Sequence, residues 1–303
     1  MISIKDKNIK GYIFAVISSF FVTANFVLTK IVVKEVNPET ASLYFVGFGL
    51  LASFLFLTIK KQNRELIRLF KQYWKPMVTF GTLGGAGILM WFYAIDLIGP
   101  TTSSFLIRSV VVFTIIWGIL FLKERFNKIE VLGMLIAIIG VFVITFTVNS
   151  DDFLLSGVII ALAAAFFFSI MQLIVKLYVA RMSPLIVNHC RLTFTFLALL
   201  VYSLSFQKIQ PCSSSILILS ALGGILGGVI GVVFFFKALE LADLSKANII
   251  RTMDPFVVIA YSFFVFQEVP TLNKLFGGLI IVTGVVLLTL SRRRPKIISR
   301  WIP

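Results

Sequence analysis

Histidine occurs once in 303 residues and cysteine twice. A histidine-cluster metal enzyme is therefore excluded, and Cys190 and Cys212 have no zinc-ligand spacing. Charge is scarce too, at 14% of residues, and acidic charge most of all, with 13 Asp and Glu. No Gly-x-x-x-x-Gly-Lys-Ser/Thr phosphate loop occurs, which excludes ATP hydrolysis by that route. Nothing marks a Ser-His-Asp arrangement either. The chain is expected to be neither an enzyme nor a holder of any cofactor or metal.

Apolar residues take the place of all this. Hydrophobic residues make up 59% of the chain, and its mean hydropathy is +1.02, far beyond a soluble domain of this length. Backbone left unpaired in lipid costs several kcal/mol per group, so long apolar runs must be helices or barrel strands. Runs near twenty residues fit helices, since barrel strands are half as long and alternate in polarity. Ten membrane helices are expected, at about 11–33, 40–59, 76–96, 101–121, 129–147, 155–178, 185–206, 215–238, 246–266 and 274–290. Pro38, Pro76, Pro100 and Pro184 fall at or beside helix starts, where a missing N–H is harmless. Pro255 lies inside a span and predicts a kink or break.

The 28 basic residues are distributed unevenly. Twenty-one fall in loops on one side, including Lys60–Lys75 and Arg292–Arg300; only Lys34, Lys208 and Lys274 fall in loops on the other. By the positive-inside rule both termini are cytoplasmic. The formal charge of +15 is then a matter of topology and calls for no nucleic-acid partner. The first apolar run is too long for a signal peptide and lacks a small-residue cleavage site, so it reads as a retained span. The expected topology puts the two cysteines toward opposite faces, which argues against a disulfide between them. The Lys60–Lys75 stretch is either a charged topogenic loop or a basic helix on an anionic inner leaflet.

The apolar runs repeat. A constant offset of 144 residues relates Gly84/Gly228, Gly87/Gly231, Phe92/Phe236, Glu124/Glu268, Gly133/Gly277 and Gly140/Gly284. Nearer the N-terminus the offset is 146, as in Gly11/Gly157, Lys30/Lys176 and Pro38/Pro184. The expected units are residues 1–148 (helices 1–5), 149–291 (helices 6–10) and a basic cytoplasmic tail, 292–303. Five spans per copy reverse the membrane sense of the second copy, so the copies are inverted about an axis in the membrane plane. The fold class is an all-α membrane protein of two inverted five-helix repeats. Glycines of helices 3 and 8 are expected to let helix backbones approach closely.

Two stretches are distinctive: PFVVIAYSFFVFQEVPTLNKLFGGLIIVTG, with Pro255 thirteen residues before Glu268, and FLKERFNKIEVLGMLIAIIG, with Glu124, Gly133 and Gly140. With ten spans in two halves, the chain resembles the EamA-type family of the drug/metabolite transporter superfamily. Val111 stands where the first copy lacks the proline, and Phe45 where it lacks the charge of Arg191. The resemblance implies a solute carrier with a central cavity between inverted halves.

Ionisable residues inside a membrane are costly, which makes them functional candidates. Arg108 falls in helix 4, and Arg251 and Asp254 share one face of the equivalent helix 9. Arg191 and His189 begin helix 7, while Asn25 and Gln172 place amides at similar depths in helices 1 and 6. Two readings stand: a buried pair of Asp254 with an arginine that locks one conformation, or arginines facing the cavity to attract a carboxylate or phosphate. Asn25 and Gln172 are interhelical glue or cavity hydrogen-bonders. Glu124 and Glu268, with Gly133 and Gly277, read as structural markers of the repeat.

The expectation is a secondary transporter of the bacterial inner membrane, moving an anionic or zwitterionic metabolite such as an amino acid, organic acid or nucleotide-like compound by alternating access. Protons or a counter-substrate are its expected partners besides the bilayer, and it is expected as a monomer or homodimer. The alternatives are a flippase for a lipid-linked substrate and a non-transporting membrane scaffold or embedded enzyme.

Overall fold

Gly99 turns the longest helical run back on itself. In the computed structural model, which describes residues 4–122, 128–146, 155–178, 182–242, 247–248 and 250–291, α3 runs Asn63–Leu106 with Gly99 at φ 76°, a left-handed conformation open to glycine at little cost. The reversal shows in what each side touches along α6, Leu155–Tyr178. Leu97 and Ile98 pack on Gly157 at its start, Gly87 packs on Phe167 and Phe168, and Phe113 returns to Phe166 with ring centroids 5.7 Å apart. Residues 87 and 113 thus meet the same turn of α6. A straight helix would separate them by about 39 Å.

The remaining helices are α1 Ile4–Val33, α2 Pro38–Ile59, α4 Val110–Leu122, α5 Lys128–Phe146, α7 Pro184–Ser205, α8 Ser214–Gly223, α9 Val232–Leu241, α10 Asp254–Phe266 and α11 Leu272–Ser291. Pro38 and Pro184, mates in the repeat, both sit in the first turn of their helices, behind the caps Asn37 and Ser183. Each cap accepts a hydrogen bond from the third residue on, Thr40 N at 2.9 Å and Ile186 N at 3.4 Å. Among the described residues six helices are long and apolar enough to cross a membrane, one of them the 52-residue run Asn63–Thr114 that Gly99 divides, and Val131–Val143 and Leu272–Leu287 are shorter apolar helices.

The two copies meet in reciprocal contacts. A β-carbon on Gly140 of α5 would stand 2.8 Å from the Gly277 carbonyl of α11, and one on Gly284 of α11 would stand 2.6 Å from the Gly133 carbonyl of α5. Subtracting the 144-residue offset turns one contact into the other. Gly87 against Phe167 and Phe168 is matched by Gly231 against Phe21 and Val22, and Gly157 against Leu97 and Ile98 by Gly11 against Leu241 and Ala242. Such exchange of equivalent partners is the signature of a two-fold relation. Lipid offers no hydrophobic drive between helices, so these backbone approaches hold the halves together by close packing.

Two breaks also recur. The helix carrying Arg108 has a 3₁₀ turn at Ile107–Ser109, and its mate 144 residues on has one at Arg251–Met253. Pro255 follows the second turn in the first turn of α10, whereas Val111 follows the first. Proline is therefore not the common cause. The sequence reading anticipated a break at one of these sites and missed the other. A third break is not shared: Gly224–Gly231 is a π-helix, while its counterpart in α3 is α-helical.

The basic stretch after α2 is helical from Asn63 and bends at Tyr73 (φ −121°). Leu69 is buried there, Ile67, Phe70 and Trp74 are exposed, and Arg64, Arg68, Lys71 and Lys75 lie in the solvent-facing set. Glu124 and the 292–303 tail lie outside the described residues.

An overpacked helix crossing costs about 1–3 kcal/mol. Gly140→Ala and Gly284→Ala are each expected to lower the thermal midpoint of detergent-purified protein, while Gly228→Ala, whose β-carbon would meet nothing within 4 Å, leaves it in place.

Candidate functional site

A cavity of about 150 Å³ lies between the two copies. Its wall is aromatic and drawn from both, with Phe26, Phe45, Trp91 and Phe92 from the first and Phe235 and Phe236 from the second. Five of the polar residues singled out in the sequence line it: Asn25, Arg108, Gln172, Arg191 and Arg251. The sixth, Asp254, is fully buried behind Arg108 and Arg251.

Asp254 is held by two cations through one oxygen. Its Oδ2 lies 2.9 Å from Arg251 Nη2, 3.0 Å from Arg251 Nε and 3.3 Å from Arg108 Nη1, and its Oδ1 has no hydrogen-bond partner. Arg108 Nη1 also donates to the backbone oxygen of Arg251 at 2.9 Å, a carbonyl in the 3₁₀ turn. The breaks in the two equivalent helices thus bring a side chain from one to the backbone of the other. Arg251 stacks on Phe235 at 4.5 Å, a geometry that stabilises a guanidinium away from water.

Among the described residues Arg191 has no carboxylate partner. Its Nε and Nη2 donate to Asn188 Oδ1 at 3.1 and 2.8 Å, and Nη2 reaches the Gly228 oxygen at 3.3 Å. Asn188 Nδ2 donates to the same Gly228 oxygen at 3.1 Å. This oxygen belongs to the π-helix, so the irregular backbone of the second copy anchors a cavity arginine. Phe45, which stands at the position of Arg191 in the first copy, lines the same cavity. Three guanidiniums therefore line the cavity, and the carboxylate behind them, Asp254, is engaged by two of them.

Gln172 Oε1 accepts from Asn248 Nδ2 at 3.2 Å, while Asn25 packs against Gly223 and Gly227 with its Oδ1 unpartnered. His189 turns away from the cavity and pairs its Nδ1 with Ser53 Oγ at 2.7 Å. Glu268 is exposed in the loop that Gln267, left-handed at φ 57°, begins, and Gly133 and Gly277 serve the α5–α11 crossing. The sequence reading missed Asn188, although its i,i+3 spacing to Arg191 places both on one helix face. It also missed Glu39, 2% exposed, because an acidic residue in a helix's first turn reads as an ordinary complement to the helix dipole.

Deleting one partner of a buried ion pair strands the other charge, at about 3–5 kcal/mol. Asp254→Asn, which strands two, is expected to lower the thermal midpoint more than Arg108→Gln does. The Arg108→Gln/Asp254→Asn double variant should regain part of the loss, a coupling that a double-mutant cycle measures.

Comparison with known proteins agrees with this architecture. The model of the EamA-like transporter family matches residues 9–146 and again 155–290. The chain is 22% identical to the uncharacterized transporter YoaV of Bacillus subtilis over 89% of its length and 94% of that protein. It is 23% identical to an S-adenosylmethionine uptake transporter of Rickettsia conorii over 69% of each. A solved crystal structure superposes with a TM-score of 0.65 at 17% identity, covering 96% of this chain and all of that one, which supports the fold. The two matches, one per repeat, place this multi-pass membrane protein in the EamA-like transporter family of the drug/metabolite transporter superfamily.

Proposed function

We propose that this transporter carries a small anionic or zwitterionic metabolite with an apolar body across the bacterial inner membrane, by alternating access of two inverted five-helix repeats. The observation that carries the reading is Arg191, a buried guanidinium in the cavity wall whose hydrogen bonds go to an amide and a carbonyl and not to an anion. Two of its five N–H groups, both on Nη1, remain for a ligand, and an oxygen of a carboxylate or phosphate suits them.

The other two arginines supply background potential. Asp254 satisfies Arg251 through two nitrogens and holds Arg108 by one, so neither is as free as Arg191. An excess of fixed positive charge in a confined, aromatic space attracts an anion strongly because little water is present to screen it. The same rings suit an apolar or aromatic ligand body, by offset stacking and burial. The reciprocal contacts between copies give the alternating-access reading its two-fold frame, with the cavity lined from both copies. The charge distribution supports cytoplasmic termini.

A thermal-shift screen on purified protein tests the reading, since a ligand that binds the native state raises its apparent stability. The panel comprises aromatic and aliphatic amino acids, their carboxylate analogues lacking the amine, phosphorylated metabolites and S-adenosylmethionine. Hits are then expected to exchange in proteoliposomes. At a ligand concentration near the wild-type Kd, Arg191→Gln should cut the shift to a small fraction of its size, the result of a loss of at least about tenfold in affinity, ~1.4 kcal/mol. A hit set confined to cations, or hits unaffected by Arg191→Gln, removes Arg191 from the site.

A further inference from the structure

We propose that Glu39 is the proton-binding site of this transporter, and that its ion pair with Lys208 is a latch joining the two repeats. The proposal rests on the carrier reading above and adds to it the site that couples a proton to its conformational change.

Glu39 and Asp254 are the two carboxylates buried among the described residues. They are held very differently. Asp254 takes three contacts from two buried guanidiniums, so protonating it would strand both. Glu39 Oε1 accepts from the Tyr93 hydroxyl at 2.7 Å and faces a single ammonium, Lys208 Nζ, at 3.8 Å. Lys208 is 48% exposed, so water can solvate it when the pair parts. Beyond Tyr93 stand Tyr202 and Asp96, and the loop before α2 adds exposed Lys34 and Glu35. One proton from water therefore converts a paired carboxylate into a neutral acid and leaves no buried charge behind.

The pair sits on a joint between the copies. Around it, the loop after α7 is fastened to the start of α2: Asn37 Nδ2 and Thr40 Oγ1 both donate to the Lys208 backbone oxygen, at 2.8 and 2.9 Å. The Asn37 amide donates to Gln210 Oε1 at 2.8 Å, and the Gln210 amide to Thr40 Oγ1 at 3.0 Å. The 146-residue offset turns Asn37 and Lys208 into Ser183 and Gln62, and there, among the described residues, one side-chain bond joins the copies, Ser183 Oγ to Gln62 Oε1 at 3.4 Å. Leu185 stands where Glu39 would be. Among the described residues the duplicated joint thus has an ion pair with four further hydrogen bonds at one end and the neutral pair Ser183–Gln62 at the other. The fold does not require the charge, because the equivalent joint forms without it. Because α2 also carries Phe45 and Val46 into the cavity wall, releasing its first turn moves the wall of the proposed binding site.

Spin labels at Glu35→Cys and Ile209→Cys, in a Cys190→Ala/Cys212→Ser background, report the joint by electron-electron distance measurement in proteoliposomes without any substrate. The measurement runs from about pH 8 down to about pH 4, toward the range in which carboxylic acids in general take up protons. In the parent, acidification is expected to raise the long-distance population several-fold. Glu39→Gln should show that population at every pH, and so should Lys208→Gln, a half-exposed site whose substitution leaves folding intact if Glu39→Gln does not. Glu39→Asp retains the pH response. A parent distance unchanged across the range overturns the proposal, as does a Glu39→Gln or Lys208→Gln protein that responds like the parent. Failure of the carrier reading would appear instead as absent ligand binding and exchange with the pH response of the joint intact.

Discussion

Backbone-to-backbone approach at glycine is the constraint on which this molecule rests. In a bilayer, burying an apolar side chain against another helix gains little over burying it against lipid, so helices associate where their surfaces fit most closely. At the α5–α11 crossing Gly140 lies on the Gly277 backbone and Gly284 on the Gly133 backbone. The same reciprocity joins Gly87 and Gly231 to α6 and α1. These contacts leave no room for divergence, which is why these glycines are shared by both copies while the arginines of the cavity are not.

Divergence is concentrated where the symmetric scaffold leaves space. The paired 3₁₀ turns at Ile107–Ser109 and Arg251–Met253 are a property of the fold, present with and without a following proline. What differs is the side chains they carry: an arginine in one copy, and in the other a neighbouring arginine with the aspartate that holds both. Arg191 and its own counterpart, Phe45, line the same cavity. A symmetric pair of surfaces has thereby become a lopsided pocket, cationic on one part of its wall and aromatic on the rest. The joint of Glu39 and Lys208 repeats the pattern, charged in one copy and neutral in the other.

Much of this was legible in the chain. Intramembrane Arg108, Arg191, Arg251, Asn25 and Gln172 stood out because a polar group in an apolar run needs a reason, and all five line one cavity. Asp254 stood out equally but belongs behind the wall, because a carboxylate between two guanidiniums is drawn out of the open space. The 3₁₀ turn at Arg108 left no trace in the sequence, since the fold and not a proline produces it. The π-helix at Gly224–Gly231 was hidden as well: its glycines read as packing surface, and only the ladder register decides that the Gly228 oxygen is left for Arg191 and Asn188.

The sequence by itself determined that the chain is an apolar, helical duplication and which polar residues fall within its spans, because period, length and charge placement are properties of local segments in lipid. Tertiary structure alone decided which of those residues meet. The contact of Asp254 with Arg108, the seat of Arg191 on the Gly228 oxygen and the link from Glu39 to Lys208 all join residues from different helices or different copies. Their distances are set by how two interlocked repeats pack around glycine, and no spacing within one segment encodes that.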